Sequence, residues 1–145
     1  MSGPSPASSP QAALHALTRQ AEGLWQAVYP LWPDFSVEVL PSIDSTNTAL
    51  MQRARAGDRA PTLLVALEQS AGRGRRGKSW HSQPGASLTF SLGLPYQPAD
   101  WSGLSLAVGI SIAESLDHRH EVKARIGLKW PNDLWLSGPE GESKL

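Results

Sequence analysis

The sequence contains no cysteine, which excludes disulfide bridges, thiolate nucleophiles and cysteine-ligated metal sites. Its four histidines are scattered, so we find no metal-ligand spacing and predict no metal-binding residues. No apolar run approaches the length of a membrane span, and the first ten residues lack the charged start and apolar middle of a secretory signal. These absences predict a cytoplasmic protein without a membrane partner.

An excess of either charge is also absent, because thirteen Lys and Arg residues balance thirteen Asp and Glu residues. A neutral chain has no general attraction for nucleic acids or membrane surfaces, so electrostatic recognition has to be local. The 145 residues suit one domain with its own core. We predict a disordered tail rich in Ser and Pro over 1–10, followed by a single partial domain over 11–145.

Hydrophobic periodicity predicts helices over 11–28, 45–56 and 104–116, and strands over 36–43, 62–67, 88–94, 126–130 and 134–136. Strand 62–67 is almost wholly apolar, which is typical of a strand covered on both faces. In strand 88–94 the alternating residues Leu88, Phe90, Leu92 and Leu94 predict one buried face. Because these elements follow no regular alternating unit, the predicted fold class is α+β, with a mixed, largely antiparallel sheet and flanking helices.

The densest functional signal is the basic, glycine-rich segment from Gly72 to Lys78. Its glycines let the backbone approach a ligand closely, and its cations, which are Arg73, Arg75, Arg76 and Lys78, concentrate positive charge in a neutral chain. Arginine can hold a phosphate or carboxylate through two parallel hydrogen bonds. The segment therefore predicts a phosphate partner, although a solvated basic loop or an RNA contact explains it equally well when it is taken alone.

Two further segments carry polar side chains at predicted element ends. Residues 44–47 read Asp-Ser-Thr-Asn at the start of a helix whose first turn we expect to expose free N–H groups, which suits an amide or urea ligand. Residues 129–133 read Lys-Trp-Pro-Asn-Asp at a corner between two strands. Taken alone, the first segment is typical of a helix cap and the second of a turn with a packed tryptophan.

In this order, the three segments resemble the biotin protein ligase family, whose catalytic domain is similar in fold to lipoate ligases and class II aminoacyl-tRNA synthetases. The resemblance covers roughly residues 37–145. It implies a ligase that activates biotin with ATP and Mg²⁺ to biotinyl-5'-adenylate. The biotin would then be transferred to a lysine of the biotin carboxyl carrier protein of acetyl-CoA carboxylase.

The same resemblance implies a role for each matching residue. The substrate-binding residues would be Ser45, Thr46, Asn47, Gln69, Gly72, Arg73, Gly74, Arg75, Trp80 and Lys144. The nucleotide-binding residues would be Arg75, Lys78, Trp130, Asn132 and Asp133. Arg75 and Lys144 would be the catalytic residues, because stabilising charge is the main task in an adenylation.

The family pattern continues beyond Lys144 and Leu145, so we expect a catalytic domain that is incomplete at its C-terminus. Only one amphipathic helix precedes the first strand, and we therefore expect no DNA-binding domain. A homodimer is left open. The alternatives are a lipoate-type ligase of the same fold, a nucleic-acid-binding module that uses Arg73 to Lys78, and an inactive fragment.

Overall fold

The computed structural model describes residues 9–117, 125–139 and 141–145, and the chain divides into two compact units with the boundary between Tyr96 and Gln97. The first unit contains two α-helices and five strands: α1 (Pro10–Val28), β1 (Ser36–Leu40), α2 (Thr46–Arg55), β2 (Thr62–Ala66), β3 (Gly72–Arg73), β4 (Ser79–Trp80) and β5 (Thr89–Gly93). The second unit contains α3 (Leu104–Asp117), β6 (Arg125–Lys129), β7 (Asp133–Gly138) and β8 (Gly141–Lys144).

The first unit is built around a three-stranded sheet in the order β1-β2-β5. β1 and β2 run parallel and are joined through α2, while β5 runs antiparallel to β2. Because β2 is the central strand, its residues are the most buried, and Leu64 is fully inaccessible. The almost wholly apolar sequence of this strand predicted that environment correctly.

Two helices pack on this sheet at different strands. α1 lies against β1, and its start is capped by Ser9, whose Oγ accepts a hydrogen bond from the backbone N–H of Ala12 at 3.2 Å. α2 lies against β5 and β2, and Leu50 closely approaches Gly93, where a side chain would meet it at 3.5 Å. Residues 1–8 of the predicted tail lie outside the described residues.

The predicted buried face of β5 is wrong. Leu88, Phe90, Leu92 and Leu94 are between 42% and 65% exposed. The half-buried residues of this strand are instead Thr89, Ser91 and Gly93, which alternate with them. The reason is that α2 packs on the face that carries Ser91 and Gly93. On this face, the Ser91 hydroxyl contacts Thr46, and Gly93 lies next to Leu50 of α2.

The second unit is an antiparallel meander, β6-β7-β8, with α3 packed on β6. Gly109 allows this packing, because a Cβ at that position would lie 2.6 Å from a methyl carbon of Leu128. The antiparallel pairing of β6 and β7 confirms the predicted strand, corner and second strand.

Mixed pairing in one unit and antiparallel pairing in the other, with helices flanking both sheets, confirm the predicted α+β class. A single partial domain over 11–145 stays a prediction. Within the described residues, no helix combines the length and the apolarity needed to cross a membrane.

Candidate functional site

The parallel pairing of β1 and β2 brings residues 44–47 beside Gln69. The pairing continues past the strand ends, where Ile43 and Gln69 form an isolated parallel bridge. The backbone N–H of Ala71 then donates to the carbonyl oxygen of Asp44 at 2.8 Å. Because parallel strands end at the same edge of a sheet, two polar segments separated by more than twenty residues meet there.

The side-chain amide of Gln69 is held in one orientation by Thr46. Its Oε1 accepts hydrogen bonds from the backbone N–H of Thr46 at 2.7 Å and from the Thr46 hydroxyl at 3.0 Å. A backbone N–H can only donate, so the amide atom that faces Thr46 has to be the oxygen. The Nε2 group of Gln69, which carries the two N–H donors of the amide, therefore faces away from Thr46 and α2. Thr46 is 2% exposed, which shields both bonds from water.

Two serines that the sequence analysis missed complete this network. Ser91 Oγ on β5 lies 2.8 Å from Thr46 Oγ1, and Ser82 Oγ accepts a hydrogen bond from the backbone N–H of Gln69 at 2.9 Å. Neither serine belongs to a recognisable motif. The available signal for Ser91 is its place on the polar side of an alternating strand, which was assigned to solvent because the other side is apolar.

The backbone N–H groups of Ser45, Thr46 and Thr48 at the start of α2 donate to side-chain oxygens and are not free for a ligand. Ser45 Oγ accepts from the backbone N–H of Thr48 at 3.3 Å, and Asp44 Oδ1 accepts from the N–H of Ser45 at 2.6 Å. Since Gln69 takes the N–H of Thr46, the predicted free N–H groups of this turn are wrong for Thr46 and Thr48. Asn47 is exposed at this helix start. We conclude that this end of α2 is a rigid platform for side chains.

The basic segment forms a short hairpin next to Gln69. β3 and β4 pair with Gly72 opposite Trp80 and with Arg73 opposite Ser79. At the tip, Gly74 N–H donates to the carbonyl oxygen of Lys78 at 2.6 Å, and residues 75–77 form one 3-10 turn. The sequence pattern thus folds into a defined loop.

The hairpin concentrates cations at the protein surface. Its four cationic residues, which are Arg73, Arg75, Arg76 and Lys78, are all exposed. Arg76 has a φ of 57°, in the left-handed region that non-glycine residues seldom adopt. Such backbone conformations cluster at ligand-binding loops, where an anion can offset the repulsion between neighbouring cations.

Gly72 joins the hairpin to the amide network. A Cβ at this buried position would lie 2.5 Å from the carbonyl oxygen of Trp80 and 3.0 Å from Gln69 Nε2. The first contact involves backbone, which cannot move without shifting β4. Gly72 is therefore required for the close approach between the hairpin and the donor side of the Gln69 amide.

In the second unit, the segment 129–133 turns from β6 into β7 through a cis bond between Trp130 and Pro131. Lys129 Nζ lies 4.5 Å from the ring centroid of Trp135, in cation–π geometry. Trp130 is 76% exposed. A packed tryptophan, which the turn alone suggested, is therefore wrong for Trp130, and its ring face is available to a planar ligand.

Lys144 and Asp133 form a salt bridge in the second unit, with Nζ and Oδ1 2.7 Å apart. The two residues stand on neighbouring strands, β8 and β7, so the sheet itself sets their separation. The family resemblance implies that Asp133 binds the nucleotide and that Lys144 binds the substrate. The contact joins the two predicted roles in one charged pair.

The predicted site residues fall into two groups, one in each unit. The first group contains Ser45, Thr46, Asn47, Gln69, Gly72, Arg73, Gly74, Arg75, Lys78 and Trp80. The second group contains Trp130, Asn132, Asp133 and Lys144. Among the residues that the structure describes, no cluster of three His, Asp or Glu side chains could hold a metal ion.

Comparison with known protein families shows to which family a chain with these two groups of site residues belongs. Residues 39–145 match the sequence pattern of the biotin/lipoate A/B protein ligase family, and this range includes every predicted site residue. The chain belongs to this family. The resemblance drawn from the three motifs is thereby confirmed, and helix α1 lies before the matched ligase region.

Named relatives in the family are biotin ligases. The chain is 48% identical over 106 residues to the bifunctional ligase/repressor BirA of Salmonella typhimurium, a match that takes in 70% of the chain and 31% of BirA. It is 38% identical over 109 residues to the biotin--[acetyl-CoA-carboxylase] ligase of Mycobacterium tuberculosis, covering 70% of the chain and 40% of that ligase. The chain thus spans about a third of the length of these relatives.

Solved structures of the same family agree. The biotin acetyl coenzyme A carboxylase synthetase of Helicobacter pylori, solved with biotinylated ATP, is 34% identical, with a TM-score of 0.59 over 68% of this chain and 47% of that one. The biotin protein ligase of Aquifex aeolicus, solved with biotin and ATP, is 36% identical, with a TM-score of 0.55 over 68% of this chain and 40% of that one. Both neighbours bind biotin and a nucleotide.

Proposed function

We propose that the protein activates biotin with ATP to biotinyl-5'-adenylate and transfers the biotin to a lysine of a biotin carboxyl carrier protein. The observation that carries this proposal is the buried contact between Thr46 and Gln69 at the base of the basic hairpin. It joins an oriented amide, suited to a neutral polar head group, to a cationic loop suited to a phosphate. Biotinyl-5'-adenylate has both groups.

The head group of biotin is a cyclic urea with one carbonyl oxygen and two N–H groups. Gln69 Nε2 supplies donors for the carbonyl, since Oε1 is already occupied by Thr46. The helix start with Ser45 and Asn47 supplies acceptors for the N–H groups. Trp80, which is 43% exposed at the hairpin base, offers an apolar wall for the remaining part of biotin.

The cationic hairpin is suited to the α-phosphate of the adenylate. Arg73, Arg75 and Lys78 stand within six residues of one another, and an anion between them relieves their mutual repulsion. In the second unit, we assign the exposed ring of Trp130, together with Asn132 and Asp133, to the nucleotide. All six residues lie within the range of the family match, and all of them except Asp133 are exposed.

The reaction needs no protein nucleophile. A biotin carboxylate oxygen attacks the α-phosphorus of ATP, the bond to the β-phosphate oxygen breaks, and pyrophosphate leaves. The ε-amine of the carrier lysine then attacks the mixed anhydride, and AMP leaves. The first step brings anions together, so Arg75 and Lys144 act as catalytic residues by stabilising negative charge, with Lys144 beside the biotin carboxylate.

Magnesium enters this proposal with ATP. The described residues offer no cluster of three ligands, and Asp133 is already paired with Lys144. Mg²⁺ is commonly bound through substrate phosphates with few protein ligands, and the proposed substrate is therefore MgATP. The carrier protein as acceptor, a homodimer and a cytoplasmic location stay predictions.

The experiment that tests this function measures release of the intermediate from the Arg75→Ala variant. With labelled biotin and MgATP, the unmodified protein should form biotinyl-5'-adenylate and retain it. Loss of a charged hydrogen bond is worth about 1.5–3 kcal/mol, so Arg75→Ala should release the adenylate about 10- to 100-fold faster. Thermal stability should stay unchanged, because Arg75 lies in an exposed turn.

Arg19→Ala is the matched control, since Arg19 is an exposed arginine of α1 outside the family match. It should retain the adenylate as the unmodified protein does. Excess lipoate added to the same assay separates the two ligase classes of the family, and we expect it not to compete. Formation of lipoyl-adenylate in preference to biotinyl-adenylate, or equal retention by Arg75→Ala, would refute the assignment.

A further inference from the structure

We propose that Lys129 binds the β- and γ-phosphates of MgATP and that the ring of Trp135 positions its ammonium group for this contact. Lys129 is then a further substrate-binding residue, and Trp135 is a positioning residue that acts through it. The inference rests on the proposed function for the reaction that the nucleotide undergoes. The binding of a polyphosphate by Lys129 rests on the charges and contacts of the second unit.

Four side chains share one face of the β6-β7-β8 meander. In antiparallel strands, residues opposite each other lie on the same face, as do residues two apart on one strand. Lys129 is opposite Asp133, and Trp135 is opposite Lys144. Asp133 and Trp135 are two apart on β7. Two ammonium groups, one carboxylate and one indole therefore lie together on this face.

Each lysine contacts the β7 residue that is diagonal to it. Lys144 Nζ pairs with Asp133 Oδ1 at 2.7 Å, and Lys129 Nζ lies 4.5 Å from the ring centroid of Trp135. Among the residues that the structure describes, no carboxylate forms a salt bridge with Lys129. Since two ammonium groups share one carboxylate, the face has one positive charge in excess, and Lys129 carries it. This charge is available to an anionic ligand.

The ring of Trp135 restricts where the Lys129 ammonium can lie. A lysine side chain is flexible, and a cation–π contact reduces the conformational freedom that it loses on binding a ligand. An ammonium group has three N–H donors, so those directed away from the ring can reach phosphate oxygens. Trp135 Nε1 is buried and makes no hydrogen bond within the described part of the chain. The ring therefore acts on Lys129 through its face.

The β- and γ-phosphates are the anionic groups to which the proposed function assigns no protein cation. It assigns the α-phosphate to the cationic hairpin and the biotin carboxylate to Lys144. Lys129 directly precedes Trp130, which we assign to the nucleotide. When the bond between the α-phosphorus and its bridging oxygen breaks, pyrophosphate keeps the electron pair and gains negative charge. Lysine is a frequent phosphate ligand, and Lys129 would stabilise this charge.

Two nucleotides separate the β- and γ-phosphates from the rest of the ligand. The first is α,β-methylene-ATP with Mg²⁺, whose bridging carbon prevents release of pyrophosphate, and the second is AMP, which lacks both phosphates. Lys129→Met removes the charge and keeps an unbranched side chain. With saturating biotin, it should weaken binding of α,β-methylene-ATP about tenfold and leave AMP binding unchanged. Calorimetric titration of the whole chain measures both affinities.

Arg125→Met is the matched control. Arg125 is an exposed cation on the same strand and face as Lys129, four residues earlier. Its replacement should leave the affinity for both nucleotides unchanged. Lys129→Arg keeps the positive charge and should retain the preference for α,β-methylene-ATP over AMP.

Two substitutions of Trp135 test its positioning role. Trp135→Phe keeps an aromatic face and removes no hydrogen bond found in the described residues, so it should retain most of the affinity for α,β-methylene-ATP. Trp135→Leu should weaken this binding about two- to fivefold. In the Lys129→Met protein, Trp135→Leu should cause no further loss, because the ring acts through the ammonium group. A merely structural role for the ring would give additive losses.

Equal weakening of both nucleotides by Lys129→Met, or no weakening, overturns the inference and leaves the proposed function intact. Additive losses in the double variant overturn the role of Trp135. Failure of the unmodified protein to form biotinyl-5'-adenylate from biotin and MgATP overturns the proposed function. The titrations still decide the inference in that case, because α,β-methylene-ATP does not react, and absence of its binding to the unmodified protein also contradicts the inference.

Discussion

Gly72, beside the amide network, has no room for a side chain. It stands opposite Trp80 in the hairpin and beside Gln69 Nε2, so the space for a side chain is taken on two sides. A side chain at this position would meet the backbone of β4 on one side and the Gln69 amide on the other. A single residue thus sets how closely the cationic hairpin approaches the pocket for the neutral head group.

Gly72→Ala should destabilise the protein and weaken biotin binding together. Relieving a contact of 2.5 Å with backbone requires β4 to shift, and overpacking of this kind costs about 1–3 kcal/mol. Thermal denaturation and calorimetric titration of biotin measure the two effects. Gly23→Ala is the control, because Gly23 lies in α1 with nothing within 4 Å of an added Cβ.

Gly23→Ala should raise stability by up to about 1 kcal/mol through helix propensity, without altering biotin binding. Wild-type stability and affinity in Gly72→Ala would show that the hairpin does not approach Gln69 in the way described.

At this scale, the sequence predicted residues that stand in compact motifs. Thr46 and Gln69 were found in separate segments, and the structure adds that they touch. Ser91 and Ser82 could not be found, because a serine in a strand or a loop has no local pattern that distinguishes it. Their contribution comes from side chains that meet across the fold.

The orientation of α2 is set by its charged contact with β1 as well as by its packing. Arg53, in the last turn of α2, makes two hydrogen bonds to the carboxylate of Glu38. The Arg53 guanidinium holds the pKa of Glu38 below its ordinary value of 4.5, mainly through these hydrogen bonds. The same contact raises the pKa of Arg53. This ion pair links α2, the helix whose start carries residues 45–47, with β1, the edge strand of the sheet.

Glu38→Gln should lower the free energy of unfolding at neutral pH by about 1 kcal/mol or less, since both side chains are 37% exposed and solvent screens the pair. A depressed pKa in the folded state stabilises the protein above the unfolded-state pKa, and the stabilisation is lost as the pH falls through the folded-state pKa. The difference from the unmodified protein should therefore shrink below pH 4.5.

Urea denaturation over a series of pH values measures this difference, and a double-mutant cycle with Arg53→Gln isolates the pair. An additive cycle at pH 7, or a difference that stays constant down to acidic pH, would contradict a stabilising ion pair between α2 and β1.

Element boundaries were largely predictable. α1 has a periodic apolar face, α2 begins after a capping serine, and β2 is an almost wholly apolar run. The buried face of β5 was not. Alternation shows that a strand has two unlike faces, but it does not show which face a helix will cover. Here α2 covers the face of Ser91 and Gly93, where the Ser91 hydroxyl contacts Thr46 and Leu50 lies next to Gly93.

For the whole molecule, charge is neutral in sum and strongly uneven along the chain. Four cations stand in the seven hairpin residues between Gly72 and Lys78, inclusive, while the Thr46–Gln69 contact beside the hairpin is neutral. The fold class was predictable from hydrophobic periodicity, and the family was predictable because three independent motifs agreed with one another. Residue roles did not follow in the same way, because contacts such as the one between Thr46 and Gln69 join side chains that meet only in the folded chain.

The central proposal is that the basic hairpin, which extends from Gly72 to Trp80, binds the phosphate of biotinyl-adenylate beside the Gln69 amide. Amide hydrogen exchange of peptides covering residues 67–82, with and without biotin and MgATP, tests it most directly. The account predicts slower exchange in this segment when both ligands are present, a smaller change with biotin alone, and none with lipoate and MgATP. Unchanged exchange in residues 67–82 with biotin and MgATP would contradict it.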